Sequence, residues 1–266
     1  RVARCRFLDR DARMKKLITT LAAGAAAIAL MGPASAKIPA PEPDDDPGAV
    51  HSYILLDRTG SMSSIWDEAL TSVNAYAASV GEADEGEIEG SDIKTDVTLA
   101  IFDFQESMQF DVLREKVGAE DWTDVTNEEA NPRGMTPLFD AIGRMVSLAE
   151  ADDPEKAVIV IMTDGLENSS RELTRDGAKA ALDRAEAKGW EVVFLGAEFA
   201  RFDDAEAVGV SASKTMAVGQ GSMRDSMSAL AKKSRAYGKG EEAEIIFNDE
   251  DRAIADEEGV KQRKGQ

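Results

Sequence analysis

The chain has 266 residues, with 51 acidic and 31 basic side chains, and a formal charge of −20. A chain this acidic is a poor candidate for binding nucleic acid or an anionic membrane surface, because both attract positive charge. The only cysteine is Cys5, so an internal disulfide is excluded, and loss of the amino terminus would also remove any thiolate for catalysis or metal binding.

The first 36 residues have the three-part pattern of a secretory signal peptide. Met14-Lys15-Lys16 forms the positive start, residues 17–31 are apolar, and Ala34-Ser35-Ala36 is a small-x-small cleavage site. The apolar part is too short and too rich in alanine for a membrane span. Residues 1–13 precede the methionine and read as an over-extended gene start. We therefore expect residues 14–36 to direct export to the periplasm or the extracellular space, with no stable membrane insertion after cleavage.

Cleavage after Ala36 would leave 24 basic and 49 acidic residues, a formal charge of −25. Residues 37–50 contain four prolines and the run Asp44-Asp45-Asp46, which predicts an extended linker. Residues 51–250 are long enough to bury one substantial core and are predicted to form a single domain. The charged residues 251–266 are predicted to form a tail that frays.

Within 51–250, hydrophobic periodicity predicts strands that alternate with helices. The acidic stretch 81–92 is predicted to be a solvated loop, because its acids do not have the spacing of an EF-hand. Pro137 suits the first turn of a helix, with Thr136 as its cap. The predicted strands are 53–56, 97–104 with a returning strand 110–113, 157–162, 191–195 and an edge strand 213–218. The predicted helices start near Ile65, Pro137, Arg171, residue 202 and Met223, and residues 244–247 are predicted as a last short strand or a docked segment.

This alternation predicts an α/β fold, a doubly wound and mostly parallel sheet with helices on both faces. Right-handed crossovers would bring the ends of strands 53–56 and 157–162 to one edge, where ligands bind in open α/β sheets. Asp57, Thr59 and Ser61 follow the first of these strands, and Asp164 follows the second. Their oxygens are hard donors that suit Mg²⁺. Alternatively, Asp57 only ends the strand and Ser61 or Ser63 caps the next helix. Periodicity does not place Thr136 at this edge.

Three segments resemble the von Willebrand factor type A domain with its metal-ion-dependent adhesion site. They are Asp57-Arg58-Thr59-Gly60-Ser61, Gly134-Met135-Thr136-Pro137-Leu138 and Thr163-Asp164-Gly165. The family pattern is Asp-x-Ser-x-Ser, then a separate Thr and a separate Asp, and this chain departs from it only in carrying Thr59 for the first serine.

The resemblance implies a Mg²⁺ or Mn²⁺ ion held by Asp57, Thr59 and Ser61, with Thr136 and Asp164 acting directly or through water. It also implies a protein partner that offers a carboxylate to the metal. The leading interpretation is therefore an exported binding protein that is not an enzyme.

Two alternatives remain from the sequence. In a Mg²⁺-dependent, aspartate-based phosphatase, Asp57 would accept the phosphoryl group, but such enzymes want a second acid at the position that Thr59 occupies. The other alternative is a metal-free scaffold with the same fold. A Ser-His-Asp triad would need His51, the chain's only histidine, which is predicted at the end of the linker, and the sequence contains no Gly-x-Ser-x-Gly elbow.

Overall fold

The computed structural model describes residues 49–82, 93–197 and 203–264. The predicted signal peptide, the predicted linker up to residue 48 and most of the predicted acidic loop lie outside these residues. The described residues contain six strands: β1 (Val50–Asp57), β2 (Thr95–Phe104), β3 (Met108–Gly118), β4 (Ala157–Thr163), β5 (Glu191–Ala197) and β6 (Thr215–Val218). They also contain seven α-helices: α1 (Trp66–Val80), α2 (Leu138–Asp152), α3 (Arg175–Ala187), α4 (Asp203–Ala207), α5 (Met223–Lys239), α6 (Asp249–Ile254) and α7 (Glu257–Lys264).

The strands form one sheet in the order β3-β2-β1-β4-β5-β6. Every neighbouring pair is parallel except β2 and β3, which are antiparallel and joined by the predicted turn at 105–107. The predicted α/β fold with a mostly parallel sheet is therefore confirmed. The predicted strands and helices between residues 53 and 239 are present, although their ends differ by a few residues.

Two apolar layers cover the sheet. Ile54 and Leu56 pack with α1 and α5 on one face, whereas Tyr53 and Leu55 pack with α2 and α3 on the other. Because both faces are covered, β1 and β4 read as continuous apolar runs instead of alternating ones. The predicted stripe on α2 is buried and consists of Leu138, Ile142, Met145, Val146 and Ala149.

Two predicted boundaries are wrong. β1 begins at Val50, so His51 lies within a central strand and not at the end of a linker, with its Nδ1 3.9 Å from Oδ2 of Asp96. α3 begins at Arg175 and not at residue 171, because the Thr174 side chain accepts a hydrogen bond from the Gly177 amide and caps the helix there.

The prediction of a fraying tail after residue 250 is wrong up to residue 264, where α6 and α7 pack against the sheet. Asn248 and Asp251 form a capping box at the start of α6. Ala255 and Val260 are buried, and a Glu257 oxygen accepts a 3.2 Å hydrogen bond from the amide of Ala217 in β6.

Residues 244–247 dock without forming a strand. The Ile245 amide donates to the Glu191 carboxylate at 2.9 Å, and the Phe247 amide donates to the Ser213 carbonyl at 2.8 Å. None of the helices that the structure describes is both long and apolar enough to cross a lipid bilayer.

Candidate metal centre

Asp57 is the last residue of β1, and both oxygens of its buried carboxylate are held by neighbouring donors. Its Oδ1 accepts a 2.7 Å hydrogen bond from the Thr59 amide. Its Oδ2 accepts a 2.5 Å hydrogen bond from the hydroxyl of Thr163, which ends the neighbouring strand β4. The parallel register that pairs Leu56 with Met162 brings these two strand ends side by side. The carboxylate therefore has a fixed orientation at the carboxyl edge of the sheet.

The other four predicted site residues lie next to Asp57 and are linked through their oxygens. The Ser61 hydroxyl donates to Oδ1 of Asp164 at 2.7 Å and lies 3.1 Å from the Thr59 hydroxyl. The Thr136 hydroxyl lies 3.3 Å from that of Thr59. The structure thus brings together residues that come from three separate segments of the chain.

Thr136 does not cap α2, so that prediction is wrong. The helix begins at Leu138, and no side chain of the residue before it makes a capping bond. The amides of Phe139 and Asp140 donate instead to the Glu167 carboxylate and the Ser170 hydroxyl, at 2.9 and 3.1 Å. This distant loop therefore satisfies the first turn of the helix, and the Thr136 hydroxyl contacts that of Thr59 instead.

The alternative in which Ser61 or Ser63 caps the next helix is also wrong. α1 begins at Trp66 with Ile65 at its N-cap position, and no side chain makes a capping bond there. A 3-10 helix over Gly60–Ser64 separates both serines from α1. The Ser63 hydroxyl donates to the Gly60 carbonyl at 2.7 Å, within this turn.

The two carboxylates of the site are electrostatically costly without a cation. Burial raises the pKa of Asp57 to about 7, although hydrogen bonds from Thr163 and Thr59 act in the opposite direction. Burial also raises the pKa of Asp164, against a lowering contribution from the Ser61 hydroxyl. Among the described residues, no lysine, arginine or histidine forms an ion pair with either group. A bound cation would favour their ionised forms.

Gly165 leaves a space on which oxygens of the other two segments converge. A Cβ atom at this position would lie 3.3 Å from the Thr136 hydroxyl oxygen, 3.5 Å from that of Ser61 and 3.9 Å from Oδ2 of Asp57. The surrounding donors are two carboxylates and three hydroxyls, a hard-oxygen set that fits Mg²⁺ or Mn²⁺. In the described part of the chain, no three His, Cys, Asp or Glu side chains are grouped to hold a metal, so hydroxyls would have to complete the coordination.

Sequence reasoning missed a partly buried ion-pair cluster beside the site. The Arg58 guanidinium donates to Asp103 and to Asp111, each at 2.6 Å, and Arg133 donates to the other oxygen of Asp103 at 3.2 Å. Arg58 and Asp103 are both buried. Asp103 is a carboxylate in the otherwise apolar end of β2, and this pattern could have indicated the cluster, since a buried charge needs a partner.

Comparisons with known proteins give structural matches only. No protein-family model and no curated protein sequence matches the chain. The PilB minor pilin from Streptococcus sanguinis matches with a TM-score of 0.51 and 12% identity, over 73% of this chain and 63% of that one. Proximal thread matrix protein 1 from the mussel byssus matches with a TM-score of 0.50 and 13% identity, over 72% of this chain and 47% of that one.

A third match is the vWF domain of the type V pili tip protein Mfa5 from Porphyromonas gingivalis, with a TM-score of 0.49 and 10% identity, over 70% of this chain and 94% of that one. The chain spans about half of the byssus protein and under two thirds of the pilin. The sheet order and the two matches with TM-scores of 0.50 and 0.51 show the fold class, and in fold the predicted resemblance to the von Willebrand factor type A domain is confirmed. What the site binds must be inferred from this chain's own residues.

Proposed function

We propose that this chain is an exported, non-enzymatic binding module that recognises a protein partner through a divalent metal ion. Asp57, Thr59 and Ser61 would hold Mg²⁺ or Mn²⁺, with Thr136 and Asp164 binding it directly or through water. The observation that carries the proposal is the convergence of these five oxygen-bearing side chains in one hydrogen-bonded group. The Thr136, Ser61 and Asp57 oxygens of this group also surround the space left by Gly165.

The charges of the site support a role in binding a carboxylate. Asp57 and Asp164 together carry two negative charges, which a divalent ion would balance. Such an ion supplies a positive centre that a carboxylate of the partner can join without meeting a local excess of negative charge. At long range, however, the formal charge of −25 on the mature chain would repel an acidic partner, so added salt should speed association instead of slowing it.

Two further observations support an exported binding protein. The amino-terminal sequence has the pattern of a signal peptide. The matched structures with TM-scores of 0.50 and 0.51 are a protein of the mussel byssus and a minor pilin.

No feature of the described residues favours the phosphatase alternative, because Thr59 occupies the position where such an enzyme needs a second acid. In a metal-free scaffold, the buried Asp57 carboxylate would have no cation beside it, because no lysine, arginine or histidine among the described residues pairs with it.

The experiment uses the mature chain from Lys37 as bait for the envelope proteins of the exporting cell. Capture is carried out in Mg²⁺ and in chelator, and binding of the captured protein is then measured for wild type and for Thr136→Ala. We expect binding that requires Mg²⁺ and is weakened by the substitution, because the hydroxyl would tune the metal without carrying charge. Binding that is unchanged in chelator would show that another surface holds the partner.

A further inference from the structure

Asp103 contacts two arginines, Arg58 and Arg133, and Arg58 also contacts Asp111. We term these four charged residues the Asp103 cluster. Oδ1 of Asp103 accepts from Nε of Arg58 at 2.6 Å, and Oδ2 accepts from Nε of Arg133 at 3.2 Å. The Asp103 side chain is fully buried, whereas that of Arg133 is 45% exposed. One carboxylate therefore holds two arginines that come from different segments of the chain.

These two arginines flank two proposed metal-binding residues in sequence. Arg58 immediately precedes Thr59, and Arg133 lies three residues before Thr136. The main chain joins the same segments, because the Arg133 amide donates to the Arg58 carbonyl at 2.8 Å and the Gly60 amide donates to the Gly134 carbonyl at 3.2 Å. The Asp103 cluster thus ties the turn after β1 to the segment that leads into α2.

A tight fit at Gly134 reinforces this connection. Gly134 has a φ of 74°, and a Cβ there would lie 2.4 Å from the Phe104 carbonyl oxygen and 3.0 Å from Oδ2 of Asp103. Met135 and Phe104 also exchange two backbone hydrogen bonds of 2.9 Å. The segment before Thr136 therefore packs closely against the end of β2, where Asp103 can determine the position of that segment.

We propose that Asp103 is a positioning residue for the metal site, which acts through Arg58 and Arg133 to fix the separation of the Thr59 and Thr136 hydroxyls. This inference rests on the proposed metal site and adds a group that does not touch the metal. The two hydroxyl oxygens lie 3.3 Å apart. Removing any member of the Asp103–arginine contacts would let the two segments shift relative to each other.

Positioning and simple charge effects predict opposite results for the arginines. If the cluster acted only through its electric field, removing a positive charge near the site would strengthen binding of a cation. If the cluster acts by position, Arg58→Met and Arg133→Met should both weaken binding, as should Asp103→Asn. A purely structural role would lower the stability of the fold but leave the metal affinity of the folded protein unchanged.

The test measures Mn²⁺ dissociation constants of the full chain by electron paramagnetic resonance of the free ion. We expect Asp103→Asn and Arg58→Met to weaken Mn²⁺ binding about 10- to 100-fold, the usual effect of removing a group that orients a metal ligand. Arg133→Met should weaken it by a smaller factor, and since its side chain is 45% exposed this variant should fold even if the buried substitutions do not.

Arg184→Met is the matched control, because its exposed ion pair with Glu150 on α2 does not involve the Asp103 cluster. Circular dichroism in chelator verifies the fold of each variant. If wild type binds Mn²⁺ but folded Arg133→Met and Arg58→Met bind it equally or more tightly, the positioning role is wrong while the proposed function stands. If wild type does not bind Mn²⁺ at all, the proposed function fails and this inference fails with it.

Discussion

The Thr163 hydroxyl donates a 2.5 Å hydrogen bond to Oδ2 of Asp57, across the junction between two adjacent parallel strands. The other oxygen of Asp57 accepts from the Thr59 amide, so the carboxylate is oriented before any ligand arrives. Thr163 is thus a second group that would position a proposed metal ligand without contacting the metal itself.

We predict that Thr163→Val weakens metal binding by about 10- to 100-fold, because it keeps the shape of the side chain but removes the donor that orients Asp57. The measurement is isothermal titration with Mn²⁺. Thr98→Val is the matched control, since Thr98 is also a buried strand threonine, but its hydroxyl accepts from the Lys116 amide. Equal affinities for the Thr163 variant and wild type would show that Thr163 does not position Asp57 for metal binding.

We predict that Gly165→Ala abolishes metal-dependent stabilisation and leaves the fold intact in chelator. The added methyl group would lie within 3.5 Å of the Thr136 and Ser61 oxygens, in the space that we assign to the ligand. Melting temperatures with and without Mg²⁺ provide the measurement. Gly118→Ala serves as the control, because a Cβ there meets no atom closer than 3.9 Å. A normal response to Mg²⁺ in Gly165→Ala would mean that the ion binds elsewhere.

Glu257 makes the stability of the docked carboxyl terminus depend on pH. Although burial acts to raise the pKa of Glu257, hydrogen bonds from Lys261, Arg252 and the Ala217 amide outweigh it and hold the pKa below the ordinary value of 4.5. A lowered pKa in the folded state stabilises the protein above the ordinary pKa, and this stabilisation is lost as the pH falls through the folded value.

We therefore expect Glu257→Gln to lower the free energy of unfolding near pH 6, by about 1 kcal/mol. The difference from wild type should shrink as the pH falls from 4.5 towards the lower folded-state pKa, because Glu257 is protonated first in the unfolded state and then in the folded state as well. Urea unfolding between pH 3.5 and pH 6 provides the measurement. Because the other carboxylates are common to both proteins, the difference between them reports on Glu257. A difference that stays constant down to the lowest pH would show that the charge of Glu257 does not stabilise α7.

The sequence predicted the parts of the fold that depend on local patterns. The apolar runs of β1 and β4 and the acid at the end of each were sufficient to place Asp57 and Asp164 at one edge of the sheet. Thr163 could have been found only with the register of the two strands, which depends on their pairing and not on either segment alone.

Features that depend on distant segments were mispredicted or missed. Thr136 has the local pattern of a helix cap, but Glu167 and Ser170 bind the first amides of α2 from another loop. The carboxyl terminus reads as a charged tail, yet the burial of Ala255 and Val260 and the bond from Ala217 to Glu257 hold it against β6. In each case the deciding partner lies 28 to 40 residues away in the sequence.

Thermal unfolding in graded Mg²⁺ or Mn²⁺ decides whether a divalent ion binds at Asp57. Wild type should gain stability by mass action, about 2.7 kcal/mol when the free metal is a hundredfold above its dissociation constant. Asp57→Ala should fold but gain nothing from the metal. If the variant and wild type respond alike, or if wild type gains no stability from either ion, the account of this site is contradicted.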